Sequence, residues 1–155
     1  MKEIWYLLKC PKGDETDYVQ KYEKLADPKE LQEVVCFEYH RMIRYGGNWH
    51  LERRTLLPGC IFLSGTRAME LKEKAVSLIP CEPSCLIELC QEGNLVAMSK
   101  GVIKNGNTIV TSGPLKGREP WIRRIDRHRR TAQIEISLGN QKAQVTVGLE
   151  IYEKS

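Results

Sequence analysis

Apolar residues come in short bursts along this chain, and their spacing changes from one burst to the next. Ile4 to Lys9 is mostly apolar and aromatic and is closed by Pro11 and Gly13, which predicts a buried strand and a turn. From Tyr18 the spacing becomes helical: Tyr18, Val19, Tyr22 and Leu25 recur with Lys and Glu between them, Asp14 or Asp17 is the candidate cap, and Pro28 is the stop. Between Val34 and Tyr45 the period drops to two. Val35, Phe37, Tyr39, Ile43 and Tyr45 then share one face of a strand, and Gly46-Gly47-Asn48 supplies the positive-φ residues of a hairpin. Trp49, Leu51 and Thr55 continue on the returning strand until Pro58-Gly59 breaks it, and Cys60 to Leu63 reads as a compact buried strand. Met69, Lys72, Ala75, Val76 and Ile79 restore helical spacing up to Pro80. A small α+β domain with an antiparallel sheet accounts for residues 1–80.

Residues 81–100 show a weaker pattern, with Pro83, three cysteines and a short amphipathic piece around Leu86-Ile87-Glu88-Leu89, and read as a linker. After Gly101 the chain changes to short strands and tight turns: Thr108–Thr111, Trp121–Asp126, Ala132–Leu138 and Ala143–Ile151. Ala132, Ile134, Ile136 and Leu138 face one way on the third strand, Val145, Val147, Leu149 and Ile151 on the fourth, and Gly139-Asn140 joins them as a hairpin. Residues 101–155 are therefore expected to close into a small β-barrel.

A length of 155 residues, 41% hydrophobic and 28% charged, suits one compact domain or two small ones and excludes a large multidomain enzyme. No apolar run is long enough to span a membrane, and the N-terminus has acid close behind its short apolar patch, so a soluble, unexported, cytoplasmic protein is expected. In that setting Cys10, Cys36, Cys60, Cys81, Cys85 and Cys90 stay thiols. Cys81, Cys85 and Cys90 cluster, but zinc would need a fourth ligand from elsewhere, and the short CxxC pairs of structural zinc sites are missing. The alternative is small buried or linker residues.

The net charge of +4 is unevenly placed. Residues 1–100 hold 14 Lys and Arg against 15 Asp and Glu, whereas residues 101–155 hold 10 against 5, so the basic excess belongs to the C-terminal third. Lys116, Arg118, Arg123, Arg124, Arg127, Arg129 and Arg130, with His128 among them, face only Glu119 and Asp126 within that window. Such a concentration suits a polyanion, most often nucleic acid; a solvated basic face with no partner is the competing reading.

The segment Ile109-Val110-Thr111-Ser112-Gly113-Pro114-Leu115-Lys116-Gly117-Arg118-Glu119 resembles a KOW motif, its Gly113-Pro114 and Gly117 bracketing a loop that holds basic residues at 116 and 118. Trp5-Tyr6-Leu7-Leu8-Lys9 resembles the first strand of the NusG N-terminal domain, and Leu56-Leu57-Pro58-Gly59-Cys60-Ile61-Phe62-Leu63 resembles its "PGY-apolar" strand, with Cys60 in place of the tyrosine. These motifs follow the family's order and span nearly the whole chain. The resemblance is therefore to the NusG family of transcription elongation factors, and the basic IRRIDRHRRTAQIEI after the loop is most similar to its LoaP-type antitermination paralogues. It implies an α+β NusG N-terminal (NGN) α/β sandwich followed by a KOW barrel, in a bacterial, cytoplasmic and monomeric factor that promotes processive antitermination.

The same resemblance implies a contact between the N-terminal domain and the clamp helices of the largest RNA polymerase subunit, carried over to Tyr6, Leu57, Cys60 and Phe62. An ordinary core role competes for Phe62 and Trp5, and Leu57 beside the Pro-Gly turn is the stronger candidate. Nascent RNA, as a stem-loop, is expected on Lys116, Arg118, Arg123, Arg124, Arg127, His128, Arg129 and Arg130. Trp121 can stack on a base or fill the barrel core, and Arg123 and Arg124, being consecutive on a strand, cannot both point inward. His40, His50 and His128 lie in separate segments without a nucleophile pattern, and no phosphate-cradling or HExxH motif occurs, so no enzyme, metal or cofactor is expected. Two other readings stand beside this one: a general NusG-like adaptor whose KOW domain binds a ribosomal protein or termination factor, and a sequence-independent nucleic-acid binder unrelated to polymerase.

Overall fold

The structure, a computed structural model, describes residues 4–25, 29–66, 78–91 and 93–155. The chain begins with β1 (Ile4–Lys9), α1 (Glu15–Leu25), β2 (Leu31–Val35), β3 (Glu38–Tyr45), β4 (Asn48–Thr55) and β5 (Cys60–Gly65). It continues with β6 (Leu78–Cys81), α2 (Ser84–Leu89), β7 (Leu95–Val96), β8 (Ser99–Lys104) and β9 (Asn107–Ser112). A 3₁₀ turn (Glu119–Trp121), β10 (Ile122–Asp126), β11 (Thr131–Ser137) and β12 (Lys142–Lys154) complete it. The class is α+β. The helix expected from Met69 lies, up to residue 77, outside the described residues; Ile79 and Pro80 instead belong to β6, paired with Leu7 and Tyr6 of β1. A proline is tolerated there because β6 is an edge strand.

The first sheet runs β2-β5-β1-β6 and every pairing in it is antiparallel. Both of its faces are covered, which explains why β1 and β5 are continuously apolar rather than alternating. On one face Tyr6, Leu8, Ile61, Leu63 and Val34 pack with Tyr22, Tyr18 and Val19 of α1. On the other, Leu7 and Phe62 enter a core with Phe37, Tyr39 and Leu56 that continues through Leu86, Leu89, Val96, Leu115, Ile134, Val147 and Leu149. The segment read as a linker thus supplies buried residues: the amphipathic piece forms α2, and Leu86 and Leu89 point into this core.

The strand predicted over Val34–Tyr45 is two strands. Val35 pairs with Phe62 in the first sheet and Glu38 with Thr55 in the next, so the chain changes sheets at Cys36 and Phe37. The predicted face survives the break, because Val35, Phe37 and Tyr39 all meet the same core, while Tyr45 at the hairpin tip is exposed. The two-residue turn Gly46-Gly47 has positive φ at both positions, as a twisted hairpin requires.

The C-terminal strands pair in the order β10-β11-β12-β8-β9, with β12 and β8 parallel. Ala132, Ile134 and Ile136 are buried on β11, and Val145, Val147 and Leu149 on β12, in the expected alternation. The outer strand β9 is tied to the 3₁₀ turn by the Val110 N–H, which donates to the Glu119 carboxylate at 3.3 Å. This sheet meets the N-terminal strands at Gly148, where a Cβ would overlap the His40 carbonyl oxygen of β3 and the Met98 sulfur.

Candidate nucleic-acid interface

The glycine–proline loop between β9 and β10 is rigid for reasons the backbone makes plain. Gly113, at φ 94°, lies against Met98 and Ser99 too closely for any side chain. Leu115 is fully buried and its N–H donates to Ser99 Oγ at 3.0 Å. Two successive turns, Lys116 N–H to Gly113 O at 3.1 Å and Arg118 N–H to Leu115 O at 2.8 Å, hold the tip. Lys116 is exposed on it. Arg118 folds back instead, donating to Pro114 O at 2.9 Å, with its guanidinium 5.4 Å from the Trp121 ring and 3.9 Å from Glu88 of α2. Trp121 is half-buried against the core.

The hairpin β10–β11 carries the other cations. Ile122 pairs with Ile134 but Arg124 with Gln133, so β10 has one residue more than its partner between these pairs. That bulge interrupts the alternation of β10 here, and Arg123 and Arg124 are both exposed. Their surroundings differ. Arg123 is held by the Glu135 carboxylate at 2.6 and 3.0 Å and by Pro120 O at 2.6 Å. Arg130 sits 3.2 Å from Glu150 and its guanidinium lies 4.0 Å from the centre of the Trp49 ring, linking the two halves of the chain. Asp126 accepts the Arg129 N–H at 3.0 Å and lies 3.9 Å from that side chain. The side chains of Lys116, Arg124, Arg127 and His128 make no ion pair or hydrogen bond among the described residues and are exposed. The eight predicted residues therefore divide into anchored groups and unpaired ones, spread over the glycine–proline loop and the β10–β11 hairpin.

Sequence reasoning passed over two residues here. Arg41 interrupts the apolar face of β3 between Tyr39 and Ile43, an oddity visible in the alternation. Its Nε is buried with no hydrogen-bond partner among the described residues. Trp49, assigned only to a strand, carries the stacking contact with Arg130.

The candidates for polymerase contact do not form one patch. Tyr6 is fully buried beneath α1, whereas Phe62, also without accessible surface, and Cys60 point to the opposite face and its larger core. Leu57 packs at the margin of that core and is half-buried. The adjoining Pro58-Gly59 turn is fixed by Glu15, whose buried carboxylate accepts the Gly59 N–H at 2.9 Å and the Gly13 N–H at 3.0 Å. Burial alone would raise the Glu15 pKa, but the N–H groups of Gly59, Gly13 and Glu15 itself outweigh it and hold the carboxyl below its usual range.

Burial pushes the thiols of Cys36 and Cys81 up to about 12 and that of Cys90 to about 11, so they are protonated at neutral pH. No group of three or more His, Cys, Asp or Glu that could hold a metal occurs among the described residues. No helix among them is long and apolar enough to cross a membrane.

A helix-backed antiparallel sheet that shares its core with a basic five-stranded sheet is an α+β architecture with a counterpart among solved proteins. No protein-family model and no curated protein matches the chain. The solved structure described as "Domain interaction in Thermotoga maritima NusG" matches with a TM-score of 0.51 and 16% identity, covering 96% of this chain and 94% of that one. The fold is NusG-like.

Proposed function

We propose that this protein is a NusG-like transcription elongation factor of the antitermination type, close in kind to the LoaP paralogues. Residues 1–80 serve as its NGN-like domain, which docks on the clamp helices of RNA polymerase. Residues 81–100 join that domain to a KOW domain over 101–155, which holds a stem-loop of nascent RNA. The observation that carries the reading is the split within the basic edge. Arg123, Arg129 and Arg130 are oriented by Glu135, Asp126 and Glu150, while the exposed side chains of Lys116, Arg124 and Arg127 have no partner among the described residues. A merely solvated basic face needs no such framework. Oriented guanidinium forks alternating with free cations suit a folded polyanion. The NusG-like fold supports the elongation-factor class.

Titration of the full chain against hairpin RNA, duplex DNA and single strands across a salt series tests this. Hairpin RNA should bind tightest, with affinity falling steeply as salt rises. Equal affinity for all three polymers would favour the sequence-independent binder, and no binding to any would favour the adaptor.

A further inference from the structure

Between β3 of the N-terminal half and the β10–β11 hairpin lies a polar cleft of about 380 Å³, lined by Arg41, Arg124, Asp126, Arg129, Gln133 and Thr146 among others. It is assembled from both halves of the chain. Its volume sits at the small end of the roughly 300–1,000 Å³ range of ligand clefts, a size for one nucleotide rather than a helix. We propose that this cleft receives a single unpaired nucleotide of the structured RNA, with Arg41 and Arg124 on its phosphate and Asp126, Gln133 and Thr146 on the edges of its base. The proposal rests on the RNA-binding reading above and adds a site to it.

Three observations converge. Arg41 lines this cleft and a second one beside Glu15, and its Nε is a buried donor with no hydrogen-bond partner among the described residues, a costly arrangement that a phosphate oxygen drawn into the cleft would relieve. Arg124, exposed at the bulge in β10 and without an acidic partner among the described residues, lines the same cleft as a second guanidinium. Asp126 then argues against a plain phosphate track, because a carboxylate repels phosphate but accepts from the N–H donors of a base. Gln133 and Thr146 both donate and accept, as reading a base edge requires. A duplex offers no free base edge of this kind at the depth of a cleft, so the nucleotide must be unpaired, in a bulge or loop.

The test uses the full chain and a fluorescent RNA hairpin with one bulged nucleotide, chosen as the tightest binder from a pool randomised around the bulge, beside the same hairpin with the bulge deleted. Arg41→Gln should weaken the bulged hairpin by about tenfold and the paired one by less than about twofold. Gln133→Trp, at an exposed position on β11, fills the cleft without removing a charge and should give the same selective loss. Equal losses on both hairpins would overturn the proposal and reduce Arg41 to a general counter-charge. No loss from either variant, while Lys116→Gln still weakens binding, would overturn the cleft and leave the RNA-binding reading intact. If the unaltered chain binds no hairpin in the pool, the RNA-binding reading itself fails and the cleft with it.

Discussion

The carboxylate of Glu15 accepts the backbone N–H of Gly59 at 2.9 Å, joining the first turn of α1 to the Pro58-Gly59 turn across 44 residues of sequence. The charge is buried, and the three N–H groups around it replace the water it has lost. Glu15→Ala should therefore cost about 1–3 kcal/mol at neutral pH, since the Gly59 and Gly13 donors lose their acceptor. The pKa of Glu15 is lower folded than its ordinary value of 4.5, so its contribution is complete above that value and fades as pH falls through the lower folded one. Denaturant unfolding at a series of pH values should show the gap between wild type and Glu15→Ala narrowing only on that acid side.

Gly148→Ala should loosen the junction between β12 and β3, because a methyl group there meets the His40 carbonyl oxygen, which is backbone and cannot swing away. Overpacking of this kind costs about 1–3 kcal/mol. A lowered melting temperature together with increased amide exchange along β3 would register it.

Arginine replacements on the basic edge should act unequally. Arg124→Ala, Arg127→Ala and Lys116→Ala remove unpaired cations and should each weaken hairpin binding and reduce the salt slope by about one at most. Arg123→Ala also frees Glu135, so its loss should exceed that of Arg127→Ala and be recovered in part by adding Glu135→Gln. Uniform losses across the four variants would mean that the oriented groups have no special part.

Leu57→Asp tests the proposed polymerase contact. Leu57 sits half-buried beside the turn that Glu15 fixes, and an unpaired carboxylate in an apolar contact is strongly unfavourable. Polymerase capture should be lost while the melting profile and RNA affinity stay close to wild type. An unfolded variant would place Leu57 in the core instead.

A fragment covering residues 101–155 should be less stable than one covering 82–155. Starting at residue 101 cuts β8, which begins at Ser99, removes the Ser99 hydroxyl from the Leu115 N–H, and takes Leu86, Leu89 and Val96 out of the core. Circular dichroism melts of the two fragments provide the comparison.

The local elements that lie within single runs of sequence were legible. Helical spacing located α1, alternation located the buried faces of β11 and β12, and the paired glycines located the β3–β4 turn. What was hidden depends on partners far away in the chain. The break at Cys36 and Phe37 follows from Val35 pairing in one sheet and Glu38 in another, and no local periodicity records a change of sheet. Pro80 ended the predicted helical spacing, whereas β6 accepts proline because it lies at an edge. The basic residues of the candidate interface could be named from composition, but which are anchored and which are free is set by Glu135 and Glu150 on neighbouring strands. Arg41 was the one missed residue with a local signature: a charge at an apolar position.

The core that runs from Leu7 and Phe62 through Val96 to Ile134 and Leu149 makes the two ends of the molecule thermodynamically linked. A partner that separates them to reach Phe62 must supply the free energy of exposing that apolar surface, and a ligand that bridges β3 and β10 raises the same cost. By reciprocity, occupancy at one end lowers affinity at the other by an equal factor wherever the two demand different arrangements. If the proposed RNA and polymerase contacts demand different arrangements of this core, RNA affinity should change when clamp helices are added, even where the two ligands never touch.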